Sequence, residues 1–333
     1  KFSSFVNCRY GITTTSGTTA LHLALKTLGV KDGDEVLVSS STNMACAFSI
    51  AHCNAKPVPI DIHIDTWQMN TDLIEKKISK KTKAIMVVHL FGQTVDMDPI
   101  MRIAKKHNLG VIEDCAESHG VEYKGKKVGS IGDIGTFSFY ANKTITCGEG
   151  GMITTNSESL AKKANELKNL CYGKPNKFMH TDIGFQFRLS NVSAAMGLGQ
   201  FSKINEIIQA KDKIYSAYNE RLKDIEGFKI VDISKTTTKF IMWCYNAYLD
   251  ETVKLSREKF LGELKDFGID TRESFKPINQ QKPLQIKYGL KDSDCPNANF
   301  IGEKGFYLPS GNDLSIEDID YICEKVKVIS KKF

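Results

Sequence analysis

Short apolar runs alternate with amphipathic, helix-like segments over the first half of the chain. Runs at residues 35–38, 57–62 and 83–90 predict buried strands, and the segments 43–53 and 99–107 predict helices between them. Strands that alternate with helices in this way are typical of a mostly parallel sheet that is covered by helices on both faces. The pattern therefore predicts an α/β fold.

Helical periodicity dominates the second half, from residue 158 to 170 and again from 191 to about 225. The second stretch is long enough to bridge a large domain, residues 1–217, to a smaller one, residues 218–333. The smaller domain mixes predicted strands with predicted helices, at 228–231, 243–249, 257–267 and 316–329.

A single lysine follows a predicted strand that is rich in aromatic residues. The strand covers residues 134–140 and leads into a polar turn with Lys143 and several glycines. Among Phe137, Phe139 and Tyr140 an amine would be partly desolvated, which lowers its pKa and makes its neutral, nucleophilic form accessible. Lys143 is thus a candidate for a lysine that forms a Schiff base. A solvated turn lysine is the alternative.

A second short apolar strand ends at Asp114. Because ligands of open α/β sheets collect at the carboxyl ends of the strands, we expect Asp114 and Lys143 to face one crevice. Pyridoxal phosphate needs such a pair of groups. The carboxylate keeps the pyridine nitrogen protonated, and the lysine holds the cofactor and moves protons.

Motifs spread over nearly the whole chain carry a family resemblance, at residues 16–21, 113–120, 137–139, 142–143, 148–151 and 308–310. Together they resemble the DegT/DnrJ/EryC1/StrS family of sugar aminotransferases. The resemblance implies the fold type I architecture of pyridoxal-phosphate enzymes, with a mostly parallel seven-stranded sheet wrapped by helices and a smaller C-terminal α+β domain. Within the family, residues 142–152 look most like the perosamine and viosamine synthases, which aminate C4 of a nucleotide-linked 4-keto-6-deoxyhexose.

The resemblance also implies further cofactor contacts. Gly17 and Thr18 open a predicted helix, whose free N–H groups suit a phosphate; a plain N-cap is the alternative. Ser138 is expected to help hold the phosphate, and Ala116 to pack its methyl group against the ring. Glu117 lies where the family usually has a glutamine that reaches the ring hydroxyl, although it could instead cap the turn.

The family shares its active sites across a homodimer, and the resemblance implies the same here. Gln186 and Arg188 are expected to reach the phosphate in the neighbouring subunit, although family members more often carry asparagine at position 186. Asn43 is expected at the cofactor, at a place where an aromatic residue commonly stacks over the ring. We expect Met44 or another side chain to take over that stacking.

Three residues are expected to contact the nucleotide sugar by resemblance. Arg272 is a candidate for the diphosphate, because a guanidinium is a permanently charged, bidentate fork. Asn279 stands where a histidine is frequent in the family. His119 follows a predicted strand end, so it either contacts the substrate or caps the turn.

The retained Lys143 predicts transamination, since the branch of the family that acts as dehydratases has histidine there. The implied reaction moves an amino group from L-glutamate, by way of pyridoxamine phosphate, to C4 of the sugar, giving a viosamine- or perosamine-type product for glycan biosynthesis. A noncatalytic pyridoxal-phosphate-binding regulator, favoured by Asn43, Gln186 and Asn279, and a 3-keto-sugar aminotransferase are alternatives. A nicotinamide dehydrogenase is disfavoured because residues 129–135 lack the G-x-G-x-x-G spacing.

The composition bears on the binding partners and the cellular compartment of the protein. The net charge of +6 over 333 residues comes from scattered lysines and arginines, which does not indicate nucleic-acid binding. Nine cysteines without a C-x-x-C pair predict a reducing compartment, and we expect the cytoplasm. No run approaches the roughly 20 apolar residues of a membrane span, and we expect neither a membrane partner nor a metal site. Because the chain lacks an initiator methionine, we expect it to begin inside the protein.

Overall fold

The computed structural model describes residues 1–333, in which helices and strands alternate as the apolar pattern predicts. The helices are α1 (Phe2–Phe5), α2 (Gly17–Thr27), α3 (Met44–His52), α4 (Met97–His107), α5 (Glu158–Leu167), α6 (Asn191–Phe201), α7 (Ile204–Leu222), α8 (Arg257–Asp266), α9 (Lys282–Tyr288), α10 (Pro296–Lys304) and α11 (Ile316–Ser330). The strands are β1 (Tyr10–Thr14), β2 (Glu35–Ser39), β3 (Lys56–Ile60), β4 (Thr82–Val88), β5 (Gly110–Asp114), β6 (Glu122–Tyr123), β7 (Lys126–Lys127), β8 (Ile134–Ser138), β9 (Gly151–Thr155), β10 (Phe228–Ile230), β11 (Thr237–Lys239), β12 (Tyr245–Leu249), β13 (Arg272–Glu273) and β14 (Gly305–Leu308).

The central sheet has seven strands in the order β1-β9-β8-β5-β4-β2-β3. Strands β3, β2, β4, β5 and β8 are parallel, and β9 is antiparallel to both of its neighbours. In the register, Val88 pairs with Asp114, and Asp114 pairs with Thr136. The carboxyl ends of β4, β5 and β8 therefore lie side by side, as the expected mostly parallel, seven-stranded sheet requires.

Both faces of this sheet are buried, which explains why its strands are continuous apolar runs. Neighbouring side chains of a strand point to opposite faces. Val36 and Val38 accordingly pack in one core cluster with residues of α2 and α3, whereas Leu37 packs in a second cluster with residues of α4. The sheet is thus covered by helices on both faces.

A four-stranded antiparallel sheet, in the order β10-β12-β14-β13, forms a third core cluster together with side chains of α7, α8 and α11. A third sheet has three strands in the order β11-β6-β7. The predicted domain boundary after residue 217 falls inside α7, and the division at that residue stays a prediction. None of the helices combines the length and the apolar character that are needed to cross a membrane.

The helical stretch predicted for residues 191–225 consists of two helices, α6 and α7, separated by Ser202 and Lys203. Helix α6 buries none of its residues within the chain, whereas α7 buries Ile204, Ile208 and Ile214. The interruption lets α7 direct an apolar face into the core while α6 stays on the surface.

Candidate active site

A cavity of about 570 Å³ opens at the carboxyl edge of the central sheet, beside the start of α2. Eight of the predicted site residues line it, namely Gly17, Thr18, Asn43, Asp114, Ala116, Glu117, Ser138 and Lys143. The strand-end argument therefore placed the cavity correctly. The contacts described next show what each group can do there.

Asp114, the last residue of β5, is buried and its carboxylate has two fixed partners. Oδ1 accepts a hydrogen bond from the backbone N–H of Ala116 at 3.0 Å, and Oδ2 accepts one from the thiol of Cys46 at 3.0 Å. Held from two directions, this carboxylate can pair with a protonated ring nitrogen in the cavity. Cys46 is a site residue that the sequence did not reveal, since a cysteine in an apolar helix is usually a packing residue.

The start of α2 and the end of β8 form a close-packed cradle for an anion. Ser16 caps α2 by accepting a hydrogen bond from the Thr19 N–H, so the first-turn N–H groups of Gly17 and Thr18 have no acceptor within the helix. A Cβ atom on Gly17 would lie 2.7 Å from Cβ of Ser138. Glycine is thus needed for the helix start to approach this serine. Backbone donors and a hydroxyl side by side fit a phosphate group.

Lys143 projects into the same cavity with 11% of its side chain exposed. Its Nζ donates to Oε1 of Glu117 at 3.3 Å and lies 4.2 Å from the centre of the Trp243 ring. Oε2 of Glu117 accepts a hydrogen bond from the Phe91 N–H at 3.2 Å. Burial raises the pKa of the Glu117 carboxyl group, and the positive charge of Lys143 partly opposes that shift.

Three aromatic residues, Trp243, Phe275 and Tyr307, form a cavity wall that sequence reasoning missed, and Phe91 packs against that wall without lining the cavity. Phe91 stacks on Trp243 with ring centroids 5.9 Å apart and on Phe275 with centroids 5.7 Å apart. Phe91 adopts a left-handed backbone conformation with φ of 58°, which is rare for an aromatic residue. Its position directly before Gly92, at the end of a predicted strand, was the one available sequence signal.

Asn43 lines the cavity but its side-chain oxygen caps α3, because it accepts a hydrogen bond from the Ala45 N–H at 2.9 Å. The expectation that Met44 replaces an aromatic ring there is not supported, since Met44 packs against the core and Ala45 lines the cavity. The reason is helical geometry: consecutive residues of α3 point in directions about 100° apart.

Two predicted substrate contacts are corrected. His119 lies outside the cavity: it is buried beside the rings of Phe2, Phe137 and Phe139, and its Nδ1 accepts from the Ile145 N–H at 3.3 Å. Burial and the nearby Lys143 charge lower its pKa to about 3, so the ring is neutral.

Asn279 is also fully buried and does not line the cavity. Its Oδ1 accepts from the Ser40 hydroxyl at 2.6 Å, and its amide nitrogen donates to Lys291 O, Asp292 O and Asn299 Oδ1. With all of its polar atoms engaged inside the chain, Asn279 joins segments of the interior and is not available to a ligand.

Arg272 lines a second cavity of about 830 Å³ that adjoins the first. The two cavities share Asn142, Lys143, Trp243 and Tyr307 as lining residues. The guanidinium of Arg272 donates to Asp270 Oδ1 at 2.8 Å and 62% of the side chain is exposed. The arginine is therefore next to the site rather than in it.

Gln186 and Arg188 lie away from the cavity of their own chain. Nη1 of Arg188 donates to Asn169 Oδ1 at 2.6 Å, and Oε1 of Gln186 accepts from the Arg188 N–H at 3.3 Å. Both residues are accessible on the surface of the single chain. A role at a cofactor would therefore have to be in the site of another subunit, as the sequence resemblance implied.

Comparisons with known proteins agree with this geometry. Residues 1–327 match the model of the DegT/DnrJ/EryC1/StrS aminotransferase family. GDP-perosamine synthase of Escherichia coli O157:H7 is 39% identical over 327 residues, which cover 98% of this chain and 87% of that protein. GDP-perosamine synthase of Caulobacter vibrioides is 38% identical over 321 residues, with 96% and 86% covered.

The architecture also matches a solved structure. The PMP form of Spr1654 from Streptococcus pneumoniae, described as a sugar aminotransferase, superposes with a TM-score of 0.93 at 27% identity. The match covers 99% of this chain and 88% of that one. The likeness therefore extends over nearly the whole chain.

Proposed function

The chain belongs to the DegT/DnrJ/EryC1/StrS aminotransferase family, and on that premise we propose that it moves an amino group from L-glutamate to C4 of a nucleotide-linked 4-keto-6-deoxyhexose. The protein is a pyridoxal-phosphate-dependent sugar aminotransferase. The names of the curated relatives favour GDP as the nucleotide and a perosamine-type product. The observation that carries the proposal is the lysine amine, the buried carboxylate and the anion cradle in one cavity.

The residues that line the cavity fit the cofactor. Asp114 would pair with the pyridine nitrogen, the start of α2 with Ser138 would hold the phosphate, and Lys143 would bind the aldehyde carbon. When bound, pyridoxal phosphate withdraws electrons from the carbon that bears the amine, which makes a proton on that carbon acidic.

Lys143 would then act as the general base and the general acid. In the first half of the reaction, its Nζ takes the proton from the α-carbon of glutamate. In the second half, the same Nζ delivers a proton to C4 of the sugar. The aromatic wall of Trp243 and Phe275, with Phe91 packed against both rings, limits water around this amine, which favours proton transfer between fixed partners.

The second cavity gives the nucleotide diphosphate a place beside the reacting carbon. It adjoins the lysine, and Arg272 is exposed within it, so a diphosphate could replace Asp270 as the partner of the guanidinium. A sugar ring that spans the shared wall would have its keto carbon near Lys143 and its diphosphate in the larger cavity.

A homodimer is part of the proposal. Helix α6 exposes Val192, Met196 and Leu198 by 73%, 56% and 51%, and the nearby segment exposes Phe178 and Ile183 by 81% and 88%. An apolar surface of this kind is typical of a protein interface. A second copy that covers α6 would also bring Gln186 and Arg188 towards a neighbouring cavity.

The nine cysteines are all buried and unpaired, which supports a reducing compartment and hence the cytoplasm.

The test is amination of a defined panel of keto sugars. The purified protein, pyridoxal phosphate and nitrogen-labelled L-glutamate are incubated with GDP-, UDP- and dTDP-linked 4-keto-6-deoxyhexoses and with a 3-keto isomer, and mass spectrometry follows the label. We expect labelled amino sugar from the GDP-linked 4-keto substrate and none from Lys143→Ala. Label in the 3-keto product alone would favour the 3-keto alternative, and label in no sugar would favour a regulator of the same fold.

A further inference from the structure

Glu117 is the one carboxylate that touches the reactive amine. Its Oε1 lies 3.3 Å from Lys143 Nζ, and the two side chains are only 7% and 11% exposed. The second carboxylate oxygen is fixed by the Phe91 N–H at 3.2 Å. The carboxylate therefore cannot turn away from the lysine without giving up a buried hydrogen bond.

A second contact acts in the same direction. Lys143 Nζ lies over the face of the Trp243 ring at 4.2 Å, a geometry that attracts a cation and not a neutral amine. The indole N–H of Trp243 donates to the backbone oxygen of Asn142 at 2.9 Å, so the ring is tied to the residue before the lysine. Both contacts of the amine thus favour its ammonium form, although a Schiff base can form only from the neutral amine.

We propose that Glu117 is the charge partner of Lys143, which holds the free amine as an ammonium ion between the carboxylate and the Trp243 ring and so slows its reaction with electrophiles. On protonation, the Nζ lone pair of Lys143 binds one proton, and the carboxylate of Glu117 stabilises the resulting positive charge. The same contact would stabilise Lys143 each time it has taken a proton from a substrate carbon. The inference rests on the proposed role of Lys143 but not on the identity of the sugar.

Other titratable groups surround the amine. The groups that line the same cavity are His89, Asp114, Tyr140, Glu149 and Tyr307, and His119 and Cys244 lie close behind it. His119 is neutral because burial lowers its pKa to about 3, and burial raises the pKa of the Cys244 thiol well above its usual range. Of these groups, none forms an ion pair with Lys143.

The test measures the amine without requiring catalysis. The cofactor-free full-length protein is labelled with an acylating reagent at one fixed pH, and the rate of labelling at Lys143 is read by peptide mass spectrometry. An opposite charge in contact favours the charged form of a group by about tenfold or more, so Lys143 should be labelled at least about tenfold faster in Glu117→Gln than in the parent. Glutamine keeps the size and hydrogen-bonding shape but removes the charge.

Two matched variants separate a specific pair from a general effect. Glu117→Asp keeps the charge on a shorter arm and should reverse at least half of the increase in rate. Glu149→Gln removes a carboxylate from the same cavity that does not touch Lys143, and should change the labelling rate by less than about threefold because the intervening distance weakens the interaction. Circular dichroism spectra that match the parent establish that each variant is folded.

An unchanged labelling rate in Glu117→Gln overturns the proposal, and so does an equal increase in Glu117→Gln and Glu149→Gln. Failure of the sugar panel would contradict the proposed function while leaving this labelling result intact. An unchanged labelling rate in Glu117→Gln together with normal sugar amination would contradict the ion pair and leave the proposed function intact. The two ideas are thus tested by different measurements.

Discussion

Replacing Gly17 by alanine is expected to force open the phosphate cradle. The added Cβ would lie 2.7 Å from Cβ and 3.0 Å from Oγ of Ser138, which is closer than such atoms approach in real proteins. Gly17 is the first residue of α2, and alanine is the better helix former by about 0.5–1 kcal/mol. Any loss would therefore come from the steric overlap and not from helix propensity.

The size of the effect follows from that overlap. Inserting a methyl group into a well-packed site costs about 1–3 kcal/mol. If the phosphate needs the N–H groups of α2 and the hydroxyl of Ser138 together, this cost falls on binding. Because each 1.4 kcal/mol is about tenfold, the dissociation constant for pyridoxal phosphate should rise about 5- to 150-fold.

The assay titrates the cofactor-free protein with pyridoxal phosphate and follows the fluorescence of Trp243, which lines the cavity. Two variants of Ser138 separate the steric effect from the loss of the hydroxyl group. Ser138→Gly removes the Cβ that Gly17→Ala would strike, so the second substitution should add no further loss there. Ser138→Ala removes the same hydroxyl but keeps the Cβ, so the full additional loss should remain.

Equal additional losses on the two Ser138 backgrounds would refute the steric explanation. Unchanged affinity in Gly17→Ala itself would refute the assignment of the cradle to the phosphate. Thermal unfolding of the cofactor-free proteins controls for general damage, because a change confined to the cradle should lower affinity more than it lowers the unfolding temperature.

Three further outcomes are expected. Cys46→Ala should weaken cofactor binding about fivefold, since Asp114 loses one hydrogen-bond donor worth about 1 kcal/mol, and Cys46→Ser should restore it; equal weakening by both would contradict this. The proton NMR signal that disappears in His119→Asn should not titrate between about pH 8 and about pH 5, because burial holds the ring neutral, and a midpoint near 6.5 would contradict the buried position. Val192→Asp should turn a dimer into monomers by light scattering, whereas Lys203→Asp, outside α6, should not; a Val192→Asp dimer would move the interface elsewhere.

The sequence was sufficient to predict the two central site residues, because one geometric rule about strand ends applied to both. Asp114 and Lys143 follow neighbouring strands of a parallel sheet, and the carboxyl ends of such strands meet at one edge. Their presence in one cavity could therefore be predicted from order along the chain. Gly17 and Ser138 were predicted through resemblance, and the lack of room for a Cβ atom on Gly17 beside Ser138 gives that expectation a steric reason.

The strand-end rule gave the wrong position for His119, which follows Asp114 closely in the chain. After Asp114 the chain folds back, with Ser118 donating to His89 O at 2.6 Å, and His119 enters an aromatic cluster instead of the cavity. Asn279 was misjudged for a different reason. A polar residue whose partners are 12 to 239 positions away cannot be distinguished from a surface residue by local pattern.

The aromatic wall was missed because its members come from distant parts of the chain. Trp243 and Tyr307 belong to the region of the four-stranded sheet, about which strand-end reasoning for the central sheet says nothing. The break between α6 and α7 was missed because neither proline nor glycine marks Ser202 or Lys203. Tertiary packing alone decides which of the two helices is buried.

Trp243 has a consequence for how this chain could be divided. Most of the motifs that mark the family lie at or before residue 151, so a fragment that ends before residue 243 would still carry Lys143, Asp114 and the start of α2. It would nevertheless lack the indole ring that lies against the lysine amine and donates a hydrogen bond to the preceding carbonyl. A gene fragment can thus carry most of the family motifs and still encode an incomplete cavity, since Trp243 is supplied by the second half of the polypeptide.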